Sequence, residues 1–165
     1  MVATTSRNDF MRELISRLEH VPWNSVTGLV LLDTCFVISE LSRHKELAGF
    51  AMTSFNADEL EHVSHRLHDR EKEAVRHFLK QTDLRILDVP MHPGNWDAEH
   101  EFVLRTAPEL LRLIPDPSDA ILLAVALRTR STVLTKDRHD LFTAALENYV
   151  EKHGVRVLKE LKDCR

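Results

Sequence analysis

Four acidic residues matter for where the chain's pattern places them: Asp33, Glu59, Asp119 and Asp137. Asp33 closes the apolar run Gly28-Leu29-Val30-Leu31-Leu32, and Glu59 ends Asn56-Ala57-Asp58-Glu59 just after Thr53-Ser54. Asp119 ends Asp116-Pro117-Ser118-Asp119, ahead of a strongly apolar stretch, and Asp137 ends Leu134-Thr135-Lys136-Asp137. If the apolar runs are strands of a parallel sheet, all four acids reach the edge where strands end and helices begin. Open α/β sheets form their ligand sites there. Several carboxylates within a few ångströms cannot all stay ionised unless a cation sits among them. Oxygen-only donors suit a hard ion, Mg²⁺ or Mn²⁺, which keeps some waters and takes substrate phosphate. One ion would polarise a phosphoryl oxygen and acidify a water, and a second, about 4 Å away, could steady a leaving oxygen. The chemistry expected of such a set is hydrolysis of a phosphodiester.

Taken singly, each acid has a plainer role. Asn56-Ala57-Asp58-Glu59 and Asp116-Pro117-Ser118-Asp119 both read as capping boxes, with Pro117 at the favoured first helical position. Asp33 and Asp137 could likewise cap the helices that follow them. Four caps meeting at one sheet edge is the coincidence that the shared site explains.

The elements that must position these acids follow from periodicity. Phe10, Met11, Leu14, Ile15 and Leu18 recur at helical spacing and predict an amphipathic leading helix over about 9–20, ended by Pro22. The run ending at Leu32 is a strand buried on both faces, and Phe36 to Leu47 reads as helix. Gly49 to Thr53 predicts a second strand, and a long helix is expected from about Ala57 to Gln81. Leu84 to Val89 is β-compatible. Two short helices are expected near Ala98–Arg105 and Pro108–Leu113. Pro117 opens an apolar helix, Thr132-Val133-Leu134 is a strand, Leu141 to Lys152 a helix, and Val155 to Leu158 a last strand. Alternating strands and helices predict an α/β fold with a mainly parallel central sheet covered on both sides.

Size and charge bound the answer. At 165 residues, 43% apolar and 29% charged, the sequence suits a single globular domain over 1–165. No apolar run approaches a membrane span, and no signal-peptide pattern opens the chain. Cys35 and Cys164 offer no disulfide framework, so a reducing, cytoplasmic setting is expected. The net charge of −4 means that a polyanion must be bound through a local patch or through metal ions.

These segments resemble the signature of the PIN-domain (PilT N-terminus) nucleases, whose best-known small members are the bacterial and archaeal VapC toxins. The resemblance lies in Leu31-Leu32-Asp33-Thr34, in Thr53 to Leu60, in Asp119 to Ala126 and in Val133 to Asp137, and spans about Leu29 to Leu158. It implies a three-layer α/β/α sandwich and Mg²⁺- or Mn²⁺-dependent endoribonuclease cleavage leaving a 5′-phosphate and a 3′-hydroxyl. Asp33, Glu59, Asp119 and Asp137 fall on the family's four acidic positions, as catalytic and metal-binding residues. Thr135 falls on a hydroxyl residue that helps hold the last acid, and Asp140 where some members carry a further acid. The implied partners are single-stranded or structured RNA and, for a toxin rather than an RNA-processing enzyme, an antitoxin-type protein; dimers are common in the family. The leading helix and the Met91–Pro115 segment are longer than a compact toxin needs.

Other groups carry weaker signals. Arg66 is expected on Glu59's helix face and Arg138 adjoins Asp137, so both could hold substrate phosphates; solvated helix residues facing Glu61, Asp69 and Glu73 are an equal reading. His62, His65 and His68 recur every third residue, and Glu59-x-x-His62 and Asp97-x-x-His100 echo di-iron helix bundles, but the strands argue against a bundle. Cys35 reads as a buried structural thiol. Trp23, Trp96, Phe102 and Phe142 read as packing residues. Two other functions compete with hydrolysis. An aspartyl-phosphate enzyme with Asp33 as nucleophile would want a second Asp where Cys35 stands. A non-catalytic RNA-binding or assembly module would be expected to have lost acids that this chain keeps.

Overall fold

A computed structural model of the chain describes residues 7–43, 45–136 and 143–164. In chain order the elements are α1 (Arg7–Ser16), β1 (Glu19–Pro22), β2 (Val30–Leu32), α2 (Thr34–Ser42), β3 (Ala51–Thr53), α3 (Ser54–Ser64), α4 (Asp69–Gln81) and β4 (Arg85–Asp88). There follow α5 (Trp96–Thr106), α6 (Leu110–Leu113), α7 (Pro117–Thr129), β5 (Thr132–Leu134), α8 (Ala144–Lys152), β6 (Val157–Leu158) and a 3-10 turn, Leu161–Cys164. The strands form one six-stranded sheet in the order β1-β4-β3-β2-β5-β6, and every pairing is parallel. The expected three-layer α/β/α sandwich is the architecture found.

Side-chain alternation along the strands divides the core. Leu31, Ala51, Leu87 and Val133 join the cluster that contains Val103, Leu110, Ile121 and Leu146, from α5, α6, α7 and α8. Their neighbours Leu32, Met52, Ile86 and Leu134 join the opposite cluster with Met11, Phe36, Leu60 and Val75, from α1, α2, α3 and α4. The register that places Leu31 beside Val133 and Leu32 beside Leu134 keeps this division in step across the centre of the sheet. A slip of one residue would exchange the two faces.

Several expected elements differ, among them the helix expected to reach Leu47, which ends at Ser42. The leading helix stops at Ser16, and Glu19–Pro22 is an edge strand paired with β4. Its residues carry no apolar alternation, because an edge strand half in solvent is held by main-chain pairing more than by side-chain burial. The helix expected over 57–81 is two helices. α3 begins earlier, at Ser54, and stops at Ser64, and the extended backbone of His68 (φ −64°, ψ 154°) restarts the chain as α4. A single helix over that span would be roughly 37 Å long, whereas the strands beneath it span about 13 Å. Breaking it lets α3 start at the sheet edge and lets α4 bury Val75, Phe78 and Leu79 with Met11, Leu14 and Ile15 of α1. The helix expected from Leu141 is described from Ala144.

Helix α7 ends on Arg130, a non-glycine residue in the left-handed region (φ 51°, ψ 47°) whose N–H donates to the Ala126 carbonyl. Arg130→Gly should therefore raise stability to urea by about 0.5–1 kcal/mol, since the left-handed cost to an L-residue of roughly 1–2 kcal/mol outweighs the extra freedom of an unfolded glycine. Stability equal to or below wild type would show that the Arg130 side chain offsets its backbone cost.

Candidate active site

The chain runs outward from β2 through β3 to β4 and later returns to the other side of β2 with β5, so the order reverses beside β2. Such a switch point leaves a crevice at the C-terminal ends of the strands, and Asp33 stands in it. Its backbone N–H donates to the Leu134 carbonyl of β5 at 2.9 Å, which fixes it between β2 and β5. One carboxylate oxygen, Oδ1, accepts from the Thr34 N–H at 2.7 Å and caps α2. The other, Oδ2, accepts from the Thr135 hydroxyl at 2.7 Å and the Cys35 thiol at 3.3 Å. Capping and site-facing roles coexist in one side chain.

Glu59 is positioned differently from the sequence expectation. The cap of α3 is Thr53, not Asn56: the Thr53 hydroxyl accepts the Asn56 N–H at 3.0 Å and donates to Asn56 Oδ1 at 2.7 Å. Glu59 thus sits in the second turn of α3 rather than its opening turn. With Oδ1 occupied, the Asn56 amide nitrogen points at the acids and lies 3.3 Å from both Asp33 Oδ1 and Glu59 Oε2. Its two N–H donors serve one carboxylate each. The Thr34 hydroxyl lies 2.9 Å from the Asn56 carbonyl and 3.3 Å from Glu59 Oε2. Thr34, Thr53 and Asn56 are all buried, so water is largely kept from this network.

The third acid arrives as its local sequence indicates. Asp116 caps α7 by accepting the Ser118 N–H at 3.0 Å, Pro117 takes the first turn, and Asp119 follows at the third position. Asp33, Glu59 and Asp119 line one open cleft of about 1730 Å³, into which the start of α2 and the first turns of α3 and α7 also face. Helix N-termini contribute partial positive charge there. Asp137, Arg138 and Asp140 lie outside the described residues. Thr135 and Lys136 carry the chain to the cleft: Thr135 is fully buried on Asp33, and the Lys136 ammonium sits 3.3 Å from both Glu40 and Glu160. Glu40 is itself fully buried and also meets Lys45 at 3.1 Å.

Burial and like charge act together on the titration of these groups. Burial, then the Asp33 charge, and to a lesser degree Asp119, push the Glu59 carboxyl up to about 7, against the opposing hydrogen bonds from Thr34 and Asn56. Burial and the Asp33 charge push the Cys35 thiol up to about 11, which makes it a donor rather than a nucleophile near neutral pH.

Among the described residues, no three His, Cys, Asp or Glu side chains form a group that could hold a metal ion by themselves. The donor chemistry nevertheless fits a hard ion of the Mg²⁺ kind, which needs one or two carboxylates and retains waters. Asp33 and Glu59, joined through one amide, are such a pair.

The sequence expectation for Arg66 does not hold. α3 ends at Ser64, so Arg66 follows the helix in an exposed turn and is absent from the cleft lining. The cation that does reach the cleft from this side is Arg12 of α1, paired with Glu61 at 3.3 Å. Neither Arg12 nor the bridging role of Asn56 was anticipated. For Asn56 the signal was present: a strand-ending Thr53 with a polar residue three positions on is itself a capping box, one turn before the pattern centred on Glu59.

A carboxyl pushed above its unfolded value binds its proton more tightly in the folded chain. It contributes stability that is full below about pH 4.5 and is lost as pH rises through about 7. In EDTA the melting temperature should therefore fall between about pH 5 and pH 7, and Glu59→Gln should flatten that fall. Identical pH profiles for wild type and Glu59→Gln would show that Glu59 is not the group carrying the repulsion.

Comparison with known proteins bears on this geometry. None of the curated proteins compared matches the chain. A family model described as PIN domain matches residues 30–145, which takes in β2 through the start of α8 and the positions of Asp33, Glu59, Asp119 and Asp137. PIN domains are generally metal-dependent nucleases and usually use divalent ions such as Mg²⁺. The match covers well over half of the sequence, and the chain belongs to the PIN-domain family.

Proposed function

We propose that this chain is a divalent-metal-dependent endoribonuclease that hydrolyses RNA phosphodiester bonds at the cleft of Asp33, Glu59 and Asp119, with Asp137 as the fourth acid. The observation that carries the reading is the Asn56 amide, 3.3 Å from each of Asp33 and Glu59, which holds two carboxylates together at the cost of mutual repulsion. Such an arrangement is hard to account for by helix capping alone, because Glu59 caps nothing in its present position.

In this reading Asp33, Glu59, Asp119 and Asp137 hold the ion. When bound, it supplies positive charge to the scissile phosphate and lowers the pKa of water. Thr135 and Thr34 keep the first two acids oriented through hydrogen bonds, and the amide of Asn56 fixes their separation. The first turn of α7 offers its N-terminal dipole to a phosphate in the cleft. A non-catalytic RNA-binding module is disfavoured by the retention of all four acids in the sequence.

Purified protein should cut single-stranded RNA internally in Mg²⁺ or Mn²⁺, leave 5′-phosphate ends, and stop on addition of EDTA. Asp33→Asn and Asp119→Asn should each lower kcat by at least about 100-fold, the order expected when a group that organises transition-state charge is lost. Circular dichroism spectra should remain those of the folded chain. Wild-type rates in both variants would remove the catalytic assignment.

A further inference from the structure

We infer that Arg12, on a helix that precedes the family-matched segment, is a substrate-binding residue of the cleft that takes a backbone phosphate of the entering RNA; the inference rests on the endoribonuclease reading of the site. The family match begins at residue 30, so α1 (Arg7–Ser16) belongs to a segment ahead of it. α1 is nevertheless seated firmly. Met11, Leu14 and Ile15 are buried with Val75, Phe78 and Leu79. The Phe10 ring lies 5.8 Å from the Arg76 guanidinium and 5.2 Å from the Lys80 ammonium. This anchoring aims Arg12 across α3, where its Nη2 sits 3.3 Å from Glu61 Oε1 and its side chain joins the cleft lining.

Three observations select Arg12 for this role. The cleft acids repel a polyanion and the chain as a whole is negative at −4, so affinity for RNA needs cations at the mouth. Lys136 also lines the cleft, but its ammonium is committed to Glu40 and Glu160 and lies over the Phe36 ring, with the side chain 19% exposed. Arg12 is 75% exposed, and a guanidinium has donors to spare after one contact with Glu61. Glu61, only 12% exposed, acts as a fixed post that orients the fork without using all of it. Around the same mouth stand His62, His65 and His92, the last with Nδ1 2.7 Å from Asp58. His62 and His65 present further ring N–H donors to a strand lying across α3, whereas the Nδ1–H of His92 is spent on Asp58.

The test is fluorescence anisotropy of a labelled single-stranded RNA oligonucleotide across a salt series in Mg²⁺, with every variant built on Asp119→Asn so that the probe survives. Arg12→Ala should bind several-fold more weakly, and its log–log salt slope should be shallower by about 0.7, the loss expected for one phosphate contact on a single strand. Arg17→Ala, in the turn just past the end of α1, outside the cleft lining and paired with Glu13, should bind as the parent does. Removing Arg12 also releases the Glu61 charge, so Arg12→Ala/Glu61→Gln separates the two causes. Binding that stays weak in the double variant supports the phosphate contact. Recovery of parental binding in it overturns the inference, as does an Arg12→Ala variant with parental affinity and slope. Cleavage by the Asp119→Asn parent at the wild-type rate would instead defeat the site assignment, and Arg12 is then judged by the same anisotropy series with EDTA in place of Mg²⁺, where the probe survives. A parent that binds no RNA defeats both.

Discussion

Like charges gathered in a half-buried space govern this molecule. Parallel strands deliver their ends to one edge, and the residues found there are carboxylates that would separate if the chain let them. It does not, because Asp33 and Glu59 are tied through groups that are themselves buried. Thr135 and Thr34 hold Asp33, while Thr53 turns Asn56 so that its amide faces Asp33 and Glu59 together. The raised Glu59 pKa records that constraint: burial first, and the Asp33 charge next, make the carboxyl retain its proton. Folding places the acids together, and a bound cation offsets what folding has imposed.

The same logic extends past the acids. Glu40 is fully buried between Lys45 and Lys136, an arrangement that is stable only while both cations stay in place. Lys136 in turn adjoins the end of β5, so the buried ion group and the Thr135–Asp33 hydrogen bond together clamp the chain just before Asp137. Second-layer polar groups of this kind determine how accurately a charged site is held.

How much was legible in the sequence depended on what made each element form. The central strands β2 and β5 form because two of the three residues in each are buried and the first is half-buried, and their apolar runs announce that directly. α7 forms because Asp116, Pro117 and an apolar tail all act over a few residues, and its start is where the pattern indicates. β1 forms for a reason that lies elsewhere in the chain, the open edge of β4, and Glu19-His20-Val21-Pro22 carries no local trace of it. The α3–α4 break is equally non-local. No glycine or proline marks residues 64–69, and the chain turns because short strands leave no room for one long helix. That break also explains the failed expectation for Arg66, whereas Arg12 reaches the cleft only through tertiary packing of α1. Asp33, Glu59 and Asp119 were legible because their chemistry stands where topology changes; the polar residues that orient them were hidden inside ordinary capping patterns.

The sheet margins have a bearing on how copies of this chain meet. At one border lies β1, four residues long, with charged or polar Glu19 and His20 and a terminal Pro22 that lacks an N–H; at the other lies β6, only two residues long. Neither border offers the long run of unsatisfied main-chain groups that an incoming strand needs for cross-molecule pairing. Self-association by strand addition is thereby discouraged at both margins, and any stable homotypic contact is left to the helical layers.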